Sequence, residues 1–216
     1  RDVEHDLVHS WNASNGSGTR TMGGYQSFTN VNVVVAGAAG AYTAPSATGT
    51  GTVGVIARGS ADANLAALEL SDVDDIMQSI YQEGGKATTM MCSPANKRKF
   101  SAKAQAADSN VQRNIDDSGK LRQSVEMYDS DFGAIRIVPN YIMGLDHNTG
   151  SGATTNSKDF SCLVYDPQWY NVATLRPLHE TEVGQAGDST IGQIVEECTL
   201  EVRNPKGCGL IVGLAG

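Results

Sequence analysis

The sequence predicts an α+β chain with two or three helices, many short strands and several long loops. Three observations lead there. Two segments carry helical apolar spacing, and two open on recognisable caps. Several short β-branched or aromatic runs end at Gly, Pro, Asn or Asp. Between them lie long stretches rich in small residues and low in charge.

The first eleven residues read as the end of a helix, with Val3, Leu7, Val8 and Trp11 near helical spacing. It starts at Arg1 without a cap, so upstream sequence is expected. Asn12 to Gly18 breaks it. Val31 to Val35 is a predicted strand. Gly37 to Gly59 reads as a long loop or a set of short irregular strands; so long a run is unusual inside a compact monomer and fits a segment lying along a neighbour.

The clearest helix is Ser71 to Glu83, with Ser71 as cap and Asp74 closing a capping box. Val73, Ile76, Met77, Ile80 and Tyr81 form its apolar stripe, and Gly84-Gly85 ends it. Thr88 to Cys92 is a predicted strand. A second helix follows, with Ser93 as cap and Pro94 in the first turn. Residues 105 to 120 read as loop. Strands at Ser124–Tyr128 and Ala134–Pro139 flank a short connection, Asp129 to Gly133. Leu145 to Lys158 is polar loop, and Phe160–Tyr165 is a strand stopped by Asp166-Pro167. Trp169 to Arg176 and Ile194 to Arg203 look extended. After a turn at Asn204 to Gly207 comes an apolar strand, Leu210 to Leu214.

Composition narrows the function. The 216 residues are 40 % hydrophobic and 19 % charged, which fits a globular protein. The net charge of -8 opposes general nucleic-acid binding. No apolar run reaches the roughly eighteen residues of a membrane helix, and no secretory leader opens the chain. Cys92, Cys162, Cys198 and Cys208 form no C-x-x-C pair, so no zinc site is expected. If a hairpin turns at Asn204 to Gly207 and pairs Arg203 with Cys208, Cys198 faces Gly213. Cys198 and Cys208 would then not join, and all four thiols are expected reduced.

Each chemical motif has a plainer explanation. Gly49-Thr50-Gly51-Thr52-Val53-Gly54 matches a dinucleotide fingerprint, the basis of the alternative reading as a small nucleotide-binding enzyme. It lacks the strand before it and a helix-opening sequence after it. Gly187-Asp188-Ser189-Thr190-Ile191-Gly192 resembles a nucleophile elbow with its second glycine one place late, so a solvated turn is expected despite nearby His179. Asp72, Asp74 and Asp75 lack the calcium-loop glycine, because Met77 takes its place; they suit a first helical turn. Lys97, Arg98, Lys99 and Lys103 could meet phosphates, but a solvated or partner-facing helix side explains them better. His5 and His9 have ligand spacing without the zincin glutamate, and His147 has no ligand neighbour in sequence. No catalytic, cofactor-binding or metal-binding residue is assigned, no cofactor is expected, and the chain is expected not to be an enzyme.

An ordered set of segments resembles the major capsid proteins of tailed bacteriophages with the Hong Kong 97 fold. They are Arg1-Asp2-Val3-Glu4, Thr19 to Gly24, Gly84-Gly85, Cys92 to Phe100, Val125 to Gly133, Val138-Pro139-Asn140, Leu175 to Leu178 and Ile194 to Asn204. The resemblance implies axial and peripheral domains, with residues 1–64 a peripheral portion ending the spine helix. It makes 65–175 the axial domain and 176–216 strands returning through the peripheral to the axial domain. Relatives carry an N-terminal arm and an extended loop before the spine helix, and both are expected to be missing here. The implied function is a self-assembling subunit of an icosahedral head, built of pentamers and hexamers. The head would enclose double-stranded DNA without sequence-specific binding. Decoration, scaffold and portal proteins are possible partners, membranes are not, and the location is the virion after assembly in the host cytoplasm.

Overall fold

The computed structural model describes residues 7, 24–29, 31–36, 42–43, 55–56, 66–107, 124–143, 161–187 and 189–214. In chain order the elements are α1 (Tyr25–Phe28), β1 (Asn32–Val35), β2 (Tyr42–Thr43), β3 (Val55–Ile56), α2 (Leu70–Gln82), β4 (Thr89–Cys92) and α3 (Pro94–Ala107). Then come β5 (Met127–Ser130), β6 (Gly133–Pro139), β7 (Cys162–Tyr165), β8 (Tyr170–Ala186), β9 (Ser189–Val202) and β10 (Gly209–Val212). The α+β class stands.

Six strands form one mixed sheet in the order β1-β10-β7-β4-β6-β5. The pairs β1/β10 and β4/β6 are parallel; the others are antiparallel. The sheet takes β1 from before residue 65 and β10 from after residue 175. Strand alternation divides its side chains between two cores. Met90, Cys92, Cys162, Val164 and Ile211 join the core that includes Val73, Ile76, Met77 and Ile80 of α2 and Phe100 of α3. Met91, Leu163, Leu210 and Val212 pack on the other side with Ile142 and Met143.

Helix α2 buries Val73, Ile76, Met77 and Ile80 as the stripe predicts, but Tyr81 stays 61 % exposed. Its cap differs from the expected Ser71 and Asp74. The backbone is extended at Glu69, and Glu69 and Asp72 form the capping box instead. This frees Asp74 to accept the Tyr128 hydroxyl at 3.0 Å, which ties α2 to β5. At the other end Gly84 adopts φ +79, a left-handed angle that suits glycine. A Cβ on Gly85 would lie 2.7 Å from the Gly207 backbone, so the chain passes closely there.

Helix α3 keeps its predicted cap: Asn96 N donates to Ser93 Oγ at 3.2 Å. It continues to Ala107, so residues 105–107 are helix rather than loop. The β5–β6 hairpin turns at Asp131 and Phe132, and β5 runs to Ser130, two residues past the predicted end. Ser130 Oγ receives the Phe132 amide and donates to Gly133 O, which pins the turn there.

The largest departure concerns β9 and β10. They are not hairpin partners. β9 pairs with β8, where Cys198 faces Thr174, while β10 inserts between β1 and β7. All four residues of β10 are buried, so it needs cover on both faces, which an interior strand has. All four cysteines are free thiols. Of the first eleven residues only Leu7 lies among those described; it is helical and packs against the Tyr170 cluster.

Candidate functional site

The strand pair β8–β9 differs from the rest of the chain. Among the described residues it joins no other strand, and it contains 17 and 14 residues. Its base is firmly held. Asp166 caps the 3-10 turn Pro167–Trp169 that launches β8. Tyr170 is buried, its ring 4.7 Å from Tyr25 and 5.4 Å from Tyr165, both edge-on. Its hydroxyl lies 2.8 Å from Thr29 Oγ1, and burial raises its pKa far above that of a free tyrosine. Arg203 N donates to Trp169 O at 2.9 Å and closes the base. Next to it, the Asn32 amide reaches Lys206 O at 2.8 Å and Cys208 O at 3.1 Å.

Beyond the base the ribbon stands in solvent. Residues 171–181 are all exposed. Register places Val172, Leu200, Thr174, Cys198, Glu180 and Ile194 on one face. Asn171, Glu201, Arg176, Glu197, His179 and Val195 share the other. On that second face Arg176 and Glu197 form a two-bonded cross-strand ion pair, with Nε to Oε2 at 2.8 Å. The guanidinium holds the Glu197 carboxyl below its usual range. His179 Nδ1 lies 2.9 Å from Pro177 O, with no ligand geometry about it.

Register shifts fall between Thr174 and Arg176 and between Arg176 and His179. They accommodate Pro177, which cannot donate to a ladder and tolerates a bulge. They also push out Leu175, 81 % exposed, and Leu178, 66 % exposed; Ile194 is 71 % exposed. Large apolar side chains on both strands of a thin ribbon are surface waiting for a partner. In the sequence these three residues bound two of the segments that resemble the capsid family, but nothing local marks them as exposed contact surface. The nearest signal is a proline within an extended run, flanked by leucines that no core claims.

The motifs with chemical promise fare differently. Gly49 to Gly54 lies outside the described residues, but the next two residues are strand β3, paired with β2. A dinucleotide fingerprint needs a helix there. Gly187, at φ +71, turns the β8–β9 hairpin, and Ser189 pairs with Ala186, so the supposed elbow is a turn. Of the three aspartates, Asp72 serves the cap and Asp74 serves Tyr128; burial raises the Asp72 carboxyl. In the basic run, Lys103 pairs with Glu69, and Lys97 donates to Ile137 O at 3.4 Å. The Lys103 charge is matched within the chain. His5, His9 and His147 lie outside the described residues.

A model of the SU10 major capsid protein matches residues 1–215. The chain belongs to that family. No curated protein matches this capsid chain. Solved structures similar to it include the holo-SrpI encapsulin complex from Synechococcus elongatus, at 8 % identity and TM-score 0.42, covering 67 % of this chain and 49 % of that one. The capsid of cyanophage P-SCSP1u matches at 15 % identity and TM-score 0.40, covering 91 % and 55 %. A structure from Mycobacterium phage Ogopogo matches at 9 % identity and TM-score 0.41, covering 86 % and 62 %. The chain thus spans about half to three-fifths of the length of these structures.

Proposed function

We propose that this chain is the greater part of a structural subunit of an icosahedral phage head. It self-assembles into pentamers and hexamers that enclose double-stranded DNA. Membership of the SU10 major capsid protein family over residues 1–215 carries the reading. The exposed ribbon supports it: an isolated two-stranded hairpin is marginal in water, and obligate contacts commonly bury about 2,000 Å² or more. Leu175, Leu178 and Ile194 supply apolar surface for such contacts.

In this reading the chain acts by packing rather than by catalysis and resides in the virion after assembly in the host cytoplasm. Residues 65–175 form the axial domain, residues 1–64 a peripheral portion, and residues 176–216 the strands returning through the peripheral domain to the axial one; the six-stranded sheet adds β1 and β10 to the axial strands. The tail of the chain then returns through β10 to the axial sheet. The net charge of -8 fits a container that does not grip its DNA. Decoration, scaffold and portal proteins are further partners.

Electron microscopy of the full-length protein tests the reading. Closed shells of pentamers and hexamers are expected. A protein that stays monomeric at high concentration would refute it.

A further inference from the structure

We propose that Cys92 and Cys162 are placed to close into an intrachain disulfide between β4 and β7 once a small peroxide reaches them. Four observations bear on it. β4 and β7 are antiparallel, with Thr89 against Tyr165, Met90 against Val164 and Met91 against Leu163. One step further in the same register, Cys92 faces Cys162. Residues facing each other in such a ladder have Cα atoms roughly 4.5–5.5 Å apart, and a disulfide accepts about 4.4–6.8 Å. Both side chains belong to the same core, so they point to the same face of the sheet.

The two thiols are close enough to influence each other's ionisation, and both residues are fully buried. The pair is also asymmetric. The neighbouring Cys162, with help from Lys97, lowers the Cys92 thiol below its ordinary range. The same contact and burial raise Cys162 well above it. Cys92 is therefore the attacking sulfur, because the thiolate is the nucleophile. Cys198 lies on the ribbon and Cys208 sits in the Tyr170 cluster, so neither competes.

The chemistry uses one small peroxide. The Cys92 thiolate attacks a peroxide oxygen, the O–O bond breaks, and hydroxide leaves as water after taking the thiol proton. Cys92 is now a sulfenic acid. The Cys162 sulfur attacks the Cys92 sulfur, the S–O bond breaks, and a second water departs with the Cys162 proton. Two thiols and one hydrogen peroxide give one disulfide and two waters. The bond would join the central strand pair of the six-stranded sheet. It would also tether two distant parts of the chain in the unfolded state, which is how a disulfide stabilises.

The full-length protein, reduced and then treated with hydrogen peroxide, is alkylated, digested without reductant and mapped by mass spectrometry. One cross-linked peptide joining Cys92 to Cys162 is expected, two hydrogens lighter than the sum of its parts and split by dithiothreitol. The oxidised protein should melt several degrees above the reduced form. Cys198→Ser should leave both results unchanged. The idea fails if both thiols remain alkylatable after peroxide has oxidised Cys198. It fails too if Cys92 carries sulfinic or sulfonic acid beside a free Cys162, if the link reaches another cysteine, or if oxidation lowers the melting temperature. Mapping the native chain needs no core substitution, so a variant that fails to fold cannot blur the answer.

Discussion

The six-stranded body and the β8–β9 ribbon are built from the same kinds of strand but obey opposite rules. In the body, β4, β7 and β10, of four residues each, are covered on both sides, and β10 is wholly buried. In the ribbon, strands three to four times longer expose Leu175, Leu178 and Ile194 to solvent. Length of ladder therefore does not measure self-sufficiency. A strand is stabilised mainly by what its faces bury, and the ribbon has little of its own chain to bury them against. Among the described residues the body buries its own faces, whereas the ribbon leaves large apolar side chains exposed, which the proposed shell contacts would cover.

The largest effect expected is on the body. Phe100 is fully buried under the sheet, edge-on to Tyr128 at 5.8 Å. Phe100→Ala should cost about 3–5 kcal/mol in a denaturant titration. A loss below about 1 kcal/mol would mean that the core tolerates a large void and that the contrast with the ribbon is overstated.

Next comes the close passage of two backbone segments. Gly85→Ala would press a methyl group onto the Gly207 backbone and the Ile80 side chain. It should cost about 1–3 kcal/mol, and neutrality by the same titration would show that the α2 end can yield. Tyr128→Phe removes the donor to Asp74 and should cost about 1–2 kcal/mol. The wild type carries a matching pH signature. Burial and the Asp74 hydrogen bond raise the Tyr128 pKa to about 12. Because the folded value is raised, this contribution is whole below pH 10 and fades as pH climbs through about 12. Tyr128→Phe should flatten thermal stability across that window, and an unchanged slope would sink the assignment.

The smallest effect on the single chain belongs to the ribbon. Leu175→Ser with Leu178→Ser should shift monomer stability by no more than about 0.5 kcal/mol each, yet reduce shell formation seen by electron microscopy. A core-sized loss of monomer stability would show that the ribbon packs within its own chain. Intact shells would show that these leucines are not contacts.

Much of the body was legible in the sequence. The α2 stripe, the Ser93-Pro94 start of α3, the Asp166-Pro167 stop and the glycine end of α2 are local signals, each spelled by a few adjacent residues. The α2 cap was misplaced by two residues because Ser71 and Glu69 can both begin the turn, and Lys103 from α3 favours Glu69. The ribbon was legible only as two unconnected extended pieces. Pro177 and the charged run after it hide the alternation that marks a strand, and the bulges that absorb them depend on β9.

By itself the sequence determined the α+β class, the presence of α2 and α3, the start of α3, the glycine end of α2, the family resemblance and the poverty of catalytic motifs. These rest on residues close together in the chain. The tertiary structure alone decided strand partnership: that β9 turns back on β8, that β10 enters the sheet beside β1 and β7, and that Cys92 comes to face Cys162. Pairing is non-local. Each strand offers the same backbone groups to any neighbour, so the choice falls to the faces that can be buried, and those are defined only once the rest of the chain is in place.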